Sequence, residues 1–201
     1  MPEDNGKKGR VVLLLGIPGV GKTSLLQEAY NIAKQSDQAI TMVTYSDVML
    51  KRAQTEGLVS HRDEMRKLPA NVQLRLQKEA AKEIAALGEN RLVMVDTHAL
   101  IRLGEGAFLP GVPGWIAETL NPTQVVYIEA SPQDIMNRRS RDKSIRRRDL
   151  EDAEEVKLHL DMSRVAALII AAQTGASLRI INNREGGLAS TAKKLSEALL
   201  S

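Results

Sequence analysis

The feature that most constrains the fold is an eight-residue stretch near the N-terminus, Gly16 to Thr23, which reads GIPGVGKT. It matches the pattern G-x-x-x-x-G-K-[ST] at every fixed position. A continuous apolar run, 11–15, precedes it, and apolar residues at helical spacing follow it between 25 and 33. Because a predicted strand lies before the stretch and a predicted helix after it, the context favours a phosphate-binding loop over a chance glycine-rich turn.

The residue types of this loop suit a nucleoside triphosphate. Gly19 and Gly21 allow a tight backbone in which successive N–H groups point at phosphate oxygens. The helix that follows adds the positive end of its dipole. Lys22 supplies a cation for the β- and γ-phosphates, and the hydroxyl of Thr23 is suited to ligate Mg²⁺.

A second part of a magnesium site is predicted at Asp96, directly after the apolar run 92–95. A carboxylate at the end of a buried strand is typical of a Walker-B acid, which faces Mg²⁺ directly or through water. The alternative is an aspartate that caps the next turn. No spacing of His, Asp and Glu suggests a zinc ion held by the protein, and the absence of cysteine excludes thiolate zinc sites.

Short apolar runs alternate with helical patterns along the 201 residues, which predicts a single α/β domain. This order is typical of a parallel sheet with helices on both faces. The stretch 108–115 is rich in proline and glycine and is predicted to be mostly loop. The predicted strands are 11–15, 40–44, 92–95, 125–129 and 178–181. The predicted helices start near 22, 47, 69, 131, 151 and 189.

The charge pattern contains one dense basic cluster, Arg138–Arg148, followed at once by an acidic stretch, Asp149–Glu155. The net charge is only +3 and aromatic residues make up 2% of the chain, so DNA or RNA binding is not favoured. The polar first ten residues lack the apolar centre of a signal peptide, and no apolar run approaches the ~18 residues of a membrane span. We therefore expect a cytoplasmic protein without a membrane partner.

The length of the chain, its motifs and the positions of its arginines indicate which class of P-loop protein it is. The N-K-x-D motif of switch GTPases is absent, and motor or AAA-type ATPases are usually longer, which favours a small-molecule or nucleotide kinase. Such a kinase needs cations to hold its acceptor and a lid to exclude water. Arg62, Arg66 and Arg102 are candidates for those cations, because the guanidinium fork binds phosphate oxygens bidentately. Arg62 can instead pair with Asp63 or Glu64 on a helix face.

The chemistry of the acceptor stays open at this point. A phosphate acceptor already carries an anionic oxygen, so catalysis needs only positioning and charge stabilisation by Lys22, Mg²⁺ and arginines. A hydroxyl acceptor would need a carboxylate base, for which Asp47 is the candidate. A third alternative is a regulatory protein that binds ATP or RNA and has residual ATPase activity.

The histidines and the tryptophan carry weaker signals. His98 either contacts a second substrate or packs in the interior. His61 and His159 are predicted to lie on the surface. Trp115 either contributes to a subunit interface or packs in the core.

Several segments are similar to those of the archaeal-type adenylate kinases. The resemblance extends from Arg10 to the C-terminus, and its segments at 61–69 and 95–102 are more specific for the family than the phosphate loop. It implies a three-layer P-loop kinase core with a five-stranded parallel sheet, helices on both faces and a short lid. The matching segments are GIPGVGKTS (16–24), HRDEMRKLP (61–69), VDTHALIR (95–102), FLPGVPGW (108–115), the RRRD segment ending at Asp149, and LIIAAQTGASLRIINNREG (168–186).

The resemblance implies Mg²⁺-dependent transfer, ATP + AMP ⇌ 2 ADP, by a homotrimer. It implies one kinase domain over 1–201, with an AMP-binding segment at about 45–87 and a short lid at about 138–155. Implied ATP-binding residues are Gly16, Pro18, Gly19, Val20, Gly21, Lys22, Thr23, Ser24 and Asn183, the last beside the adenine. Implied AMP-binding residues are Tyr45, Ser46, Asp47, Arg62, Arg66 and Arg102. Implied catalytic residues are Lys22, Arg138, Arg141, Arg148 and Arg164, and the implied metal ligands are Thr23 and Asp96.

Overall fold

The computed structural model describes residues 9–34, 40–104, 106–141 and 152–200, and seven strands and seven α-helices lie within these ranges. The strands are β1 (Arg10–Leu15), β2 (Ile40–Thr44), β3 (Leu92–Asp96), β4 (Leu100–Gly104), β5 (Ala107–Pro110), β6 (Gln124–Glu129) and β7 (Ser177–Asn182). The helices are α1 (Lys22–Ala33), α2 (Tyr45–Thr55), α3 (Ala70–Leu87), α4 (Gly114–Leu120), α5 (Pro132–Arg141), α6 (Ala153–Thr174) and α7 (Leu188–Leu200), and a 3-10 helix spans Arg62–Lys67.

Five of the strands form one parallel sheet in the order β2–β3–β1–β6–β7. Strand β1 lies at its centre, where Leu13 is paired with Val95 of β3 on one side and with Val125 of β6 on the other. The apolar run of β1 is almost entirely inaccessible to solvent, as expected for a parallel strand covered on both faces. The predicted five-stranded parallel sheet is therefore confirmed.

Two apolar cores cover the two faces of this sheet. Because side chains alternate along a strand, Leu13 of β1 packs into a core with α3, α4 and part of α6, and Leu14 packs into another with α1, α5, α7 and the start of α6. The helices on both faces are thus as predicted. Because the strands are parallel, the carboxyl ends of β1, β2 and β3 lie at the same edge of the sheet, where polar side chains can meet.

The prediction that 108–115 is mostly loop is wrong. Residues 107–110 form β5, which pairs antiparallel with β4 in a separate hairpin, and α4 begins at Gly114 directly after Pro113. The turn of the hairpin contains Gly104 and Gly106, both with positive φ. The glycines and prolines therefore mark the turn and the helix start, and the residues between them form a short strand.

The prediction that His159 lies on the surface is also wrong. This residue on α6 is 2% exposed. Its ring lies 5.3 Å from the ring of Phe108 on β5, and its Nε2 is 3.4 Å from the carbonyl oxygen of Leu100 on β4. The hairpin covers this part of α6, and sequence periodicity alone gave no indication of that cover.

The helix boundaries follow the capping signals. Pro69 stands directly before α3. Helix α6 begins after Asp152, whose carboxylate accepts a hydrogen bond from the Glu155 N–H at 2.8 Å, and it ends before Gly175, which has a φ of 70°. In the parts of the chain that are described, no helix combines the length and the apolar character needed to span a bilayer.

Candidate active site

A cleft of about 770 Å³ lies at the carboxyl ends of β1, β2 and β3. The phosphate loop forms one side of it, and the start of α2 with the 3-10 helix forms another. Most of the predicted site residues come together here. Those that line the cleft are Pro18, Gly19, Gly21, Lys22, Thr23, Ser24, Tyr45, Ser46, Arg62, Arg66, Asp96 and Arg138.

The backbone of the loop has the shape that phosphate binding requires. Gly19 and Gly21 adopt φ of 90° and 80°, a region that other residues enter only at a cost. Helix α1 begins at Lys22, and no side chain caps its first turn. The N–H groups of that turn are therefore available to an anion in the cleft, where the helix dipole adds to the attraction.

Lys22 and Asp96 form an ion pair at the base of the cleft. The lysine is 8% exposed, and burial lowers the pKa of its ammonium group to about 8. Asp96 stands at the end of β3, beside the centre of the sheet. The pair thus brings the predicted phosphate-binding cation into direct contact with the predicted metal ligand.

Thr23 and Asp96 both line the cleft and offer a hydroxyl and a carboxylate oxygen. Mg²⁺ commonly binds through one or two such protein oxygens, together with substrate phosphates and several waters. These two residues therefore fit that ion. The described residues contain no group of three or more His, Cys, Asp or Glu side chains arranged to hold a metal by themselves.

His98 lines the cleft and also packs against the phosphate loop. Its Nδ1 lies 2.6 Å from the carbonyl oxygen of Gly16. Burial, and then the charge of Lys22, lowers the pKa of His98 to about 4. The imidazole is therefore neutral near pH 7, and its Nδ1–H donates to the Gly16 carbonyl.

The side of the cleft opposite the loop carries two arginines. Arg66 lines the cleft, and Arg62 donates to the Ser46 hydroxyl at 2.9 Å and contacts the carboxylate of Asp47. The predicted partner of Arg62 is thus replaced by one on α2, fifteen positions away along the chain. Tyr45 is buried, and its hydroxyl donates to the carbonyl of Gln77 at 2.6 Å.

Three predicted arginines lie outside the cleft in ion pairs. Arg102 contacts Glu155, and Arg164 donates to Glu129 through Nε and Nη2, at 3.1 and 2.6 Å. Arg141 is exposed and donates to Glu185 at 2.9 Å. Arg148, with much of the predicted lid, lies outside the described residues.

Side chains from α5 and from the residue after β7 bind the main chain of the loop. Arg138 donates to the carbonyls of Val20 and Asn183, each at 2.9 Å. The side-chain amide of Asn183 also donates to Val20, at 2.8 Å. The predicted adenine-flanking residue Asn183 is thus buried against the loop.

Arg139 is a residue that the sequence reasoning missed. It is 4% exposed, and its Nε and Nη2 both donate to the carbonyl of Pro18, at 3.0 and 2.8 Å. The signal that could have found it is its position four residues after Ile135, on the buried face of α5.

Comparison with solved structures and protein families supports the same fold. A family model described as an AAA domain matches residues 15–157, which include the loop. Chain length therefore did not by itself exclude that class. The crystal structure of a shikimate kinase from Bacteroides thetaiotaomicron has a TM-score of 0.58 at 17% identity, over 96% of this chain and 99% of that one. At this identity the likeness concerns the fold alone.

Relatives of higher identity extend along nearly the whole chain. An adenylate kinase of Methanocaldococcus jannaschii is 41% identical, over 96% of this chain and 99% of the relative. An adenylate kinase of Methanopyrus kandleri is 42% identical over the same shares. The resemblance seen in the sequence segments is confirmed: within the group of P-loop proteins that the AAA domain model describes, the chain belongs to the adenylate kinase family.

Proposed function

We propose that the protein transfers the γ-phosphoryl group of ATP to AMP, reversibly and with Mg²⁺, to give two molecules of ADP. The observation that carries the proposal is a single cleft with a phosphate loop on one side and Arg62 and Arg66 on the other. Two phosphate-binding surfaces that face one cleft suit a reaction between two nucleotides. The relatives named adenylate kinase support the same choice.

The surroundings of Asp47 favour a phosphate acceptor over a hydroxyl acceptor. Its carboxylate contacts Arg62, and Asp47 is not among the residues that line the cleft. A base held in an ion pair with an arginine is poorly suited to remove a proton. An acceptor phosphate needs no such base, because its attacking oxygen is already anionic.

The loop residues then act by charge and position. Lys22 pairs with Asp96 in the cleft. Its ammonium group can stabilise the negative charge that develops on the transferred phosphoryl group. Thr23 and Asp96 would hold Mg²⁺, which neutralises phosphate charge when it is bound. Neutral His98 fixes the start of the loop through the Gly16 carbonyl.

We further propose that arginines from the later part of the chain clamp the transferred group when a lid at about 138–155 closes. Arg141 and Arg164 would then exchange Glu185 and Glu129 for phosphate oxygens, and Arg102 would leave Glu155 to reach AMP bound along 45–87. Arg138 already lines the cleft. Closure of this kind excludes water from the reaction.

A coupled assay of ADP formation tests the proposed function. Each reaction contains ATP and MgCl₂ with AMP, CMP, UMP, GMP or no acceptor. We expect AMP to be the one acceptor that raises turnover well above the rate without acceptor. Preference for another monophosphate would identify a different nucleotide kinase. Equal rates with and without acceptors would identify an ATPase and contradict the proposal.

A variant pair locates the acceptor in that assay. Arg66→Met should raise KM for AMP and leave KM for ATP unchanged, because Arg66 lies on the side of the cleft opposite the loop. Arg75→Met is the matched control, since Arg75 is an exposed arginine of α3 that pairs with Glu56 and Glu79. An effect of Arg66→Met on ATP alone would argue against this placement of AMP.

We also propose that the protein is a cytoplasmic homotrimer of the archaeal type. The support from the structure is an apolar stripe on α6 at helical spacing. Its members are 43% to 56% exposed, which is a large apolar area for a free surface. They are Leu158, Met162, Val165, Leu168 and Ile169.

Light scattering tests this assembly. We expect a mass of three times the 22.0 kDa of the chain. The mass measured for a Val165→Glu variant should be lower, because the substitution places a charge within the apolar stripe. Leu74→Glu, at an exposed leucine of α3, should leave the mass unchanged. A monomeric parent protein would contradict the homotrimer.

A further inference from the structure

Two buried side chains bind the back of the phosphate loop at alternate residues. Arg139 binds the carbonyl of Pro18, and Asn183 binds the carbonyl of Val20. Each is only 4% exposed, and neither belongs to the residues that line the cleft. The Pro18 carbonyl therefore points towards α5. The Val20 carbonyl points towards α5 and the end of β7, where Arg138 also donates to it at 2.9 Å.

The direction of these carbonyls fixes the direction of the next N–H groups. In a planar trans peptide the C=O of one residue and the N–H of the next point to opposite sides. When the Pro18 and Val20 carbonyls point towards these side chains, the N–H groups of Gly19 and Gly21 point to the opposite side, towards the cleft. Backbone N–H groups aimed in this way are what a phosphate loop uses to bind its anion.

The two glycines make room for the two side chains. A Cβ atom at Gly19 would lie 2.9 Å from Cγ of Arg139, and a Cβ at Gly21 would lie 2.7 Å from Nδ2 of Asn183. Both separations are shorter than real Cβ contacts. Each glycine is thus required by the side chain behind the loop as well as by its own positive φ.

We propose that Arg139 and Asn183 are positioning residues for the triphosphate site, which hold the Gly19 and Gly21 N–H groups towards the phosphates from behind the loop. The inference rests on the proposed function for the identity of ATP as the donor. Arg139 is the more informative of the two, because its cation acts on the loop without lining the cleft. An arginine serves here because its fork presents two donors to one carbonyl.

Calorimetric titration of Arg139→Ala with ATP and MgCl₂, and separately with inorganic tripolyphosphate, tests the proposal. Loss of the guanidinium leaves the Pro18 carbonyl without these donors and frees the peptide to rotate. We expect both ligands to bind roughly 10- to 100-fold more weakly, while AMP binds as before. The ATP affinity of Arg139→Lys should lie between those of the parent protein and Arg139→Ala, since lysine keeps the charge but not the planar fork.

Two further measurements separate positioning from general stability. Methylguanidinium chloride should restore part of the ATP affinity of Arg139→Ala and should not change that of Arg75→Ala, an exposed arginine control. With tripolyphosphate bound to the same occupancy, amide exchange at Gly19 and Gly21 should be faster in Arg139→Ala than in the parent protein, with α3 unaffected. If Arg139→Ala does not fold, Arg139→Lys carries the titration and amide-exchange comparisons.

The outcomes distinguish this inference from the proposed function. Equal losses of ATP and AMP affinity, or a lower melting temperature with unchanged ATP and tripolyphosphate binding, would overturn the positioning role. Failure of AMP as an acceptor would overturn the proposed function instead. The tripolyphosphate and amide-exchange measurements do not depend on the acceptor.

Discussion

Replacement of Lys22 by methionine should reduce turnover by about three orders of magnitude, because it removes a preorganised cation beside the transferred phosphoryl group. Lys22 is the loop's only ionisable side chain, and it is held at the base of the cleft. Methionine keeps much of its length and packing. The measurement is kcat in the ADP-formation assay with saturating ATP and AMP.

The ion pair with Asp96 must be separated from catalysis. Lys22→Met leaves a mostly buried carboxylate without its cation, which can cost ~3–5 kcal/mol of stability. The double variant Lys22→Met/Asp96→Asn removes that charge and should recover the melting temperature but not the turnover. Lys82→Met, at an exposed lysine of α3, should have the melting temperature and the turnover of the parent protein. Turnover of Lys22→Met within tenfold of the parent would contradict the role of Lys22.

Replacement of Gly21 by alanine should abolish measurable ATP binding, a loss of about 100-fold or more. Two effects combine at this position. The φ of 80° is unfavourable for alanine, and the new methyl group would meet Nδ2 of Asn183 at 2.7 Å. Relief of that contact must displace either the loop or Asn183. Calorimetric titration with ATP and MgCl₂ measures the loss.

Gly57 provides a matched control for the backbone effect. It has a φ of 70° at the end of α2, and a Cβ there would meet nothing within 4 Å. Gly57→Ala should therefore show only the conformational penalty, about 1–2 kcal/mol of unfolding free energy, with ATP binding unchanged. If Gly21→Ala loses stability as Gly57→Ala does but binds ATP normally, the contact with Asn183 does not matter for the loop.

The parallel sheet and the phosphate loop were predictable because their signals are local. A run such as VVLLL at 11–15 is apolar at every position because both faces of the strand are covered. The spacing of glycine, lysine and threonine in the loop follows from the geometry of backbone N–H groups around an anion.

The contacts that hold the site residues in place were not predictable in this way, because they depend on which distant segments of the chain meet in the fold. Arg139 is one of several arginines in a basic cluster, and only the packing of α5 against the loop singles it out. Arg164 and Arg102 carry the expected charge, but their carboxylate partners come from β6 and from the start of α6. The cover over His159 comes from a hairpin whose glycines and prolines indicated loop.

The supports behind the phosphate loop also set an order of events during synthesis. Arg139 and Asn183 follow the carbonyls that they bind by 121 and 163 residues. A nascent chain therefore exposes its loop long before the ribosome has made the residues that shape it. Since a ligand stabilises only a fold that can bind it, we expect ATP to stabilise the chain fully only after the last strand has emerged from the ribosome.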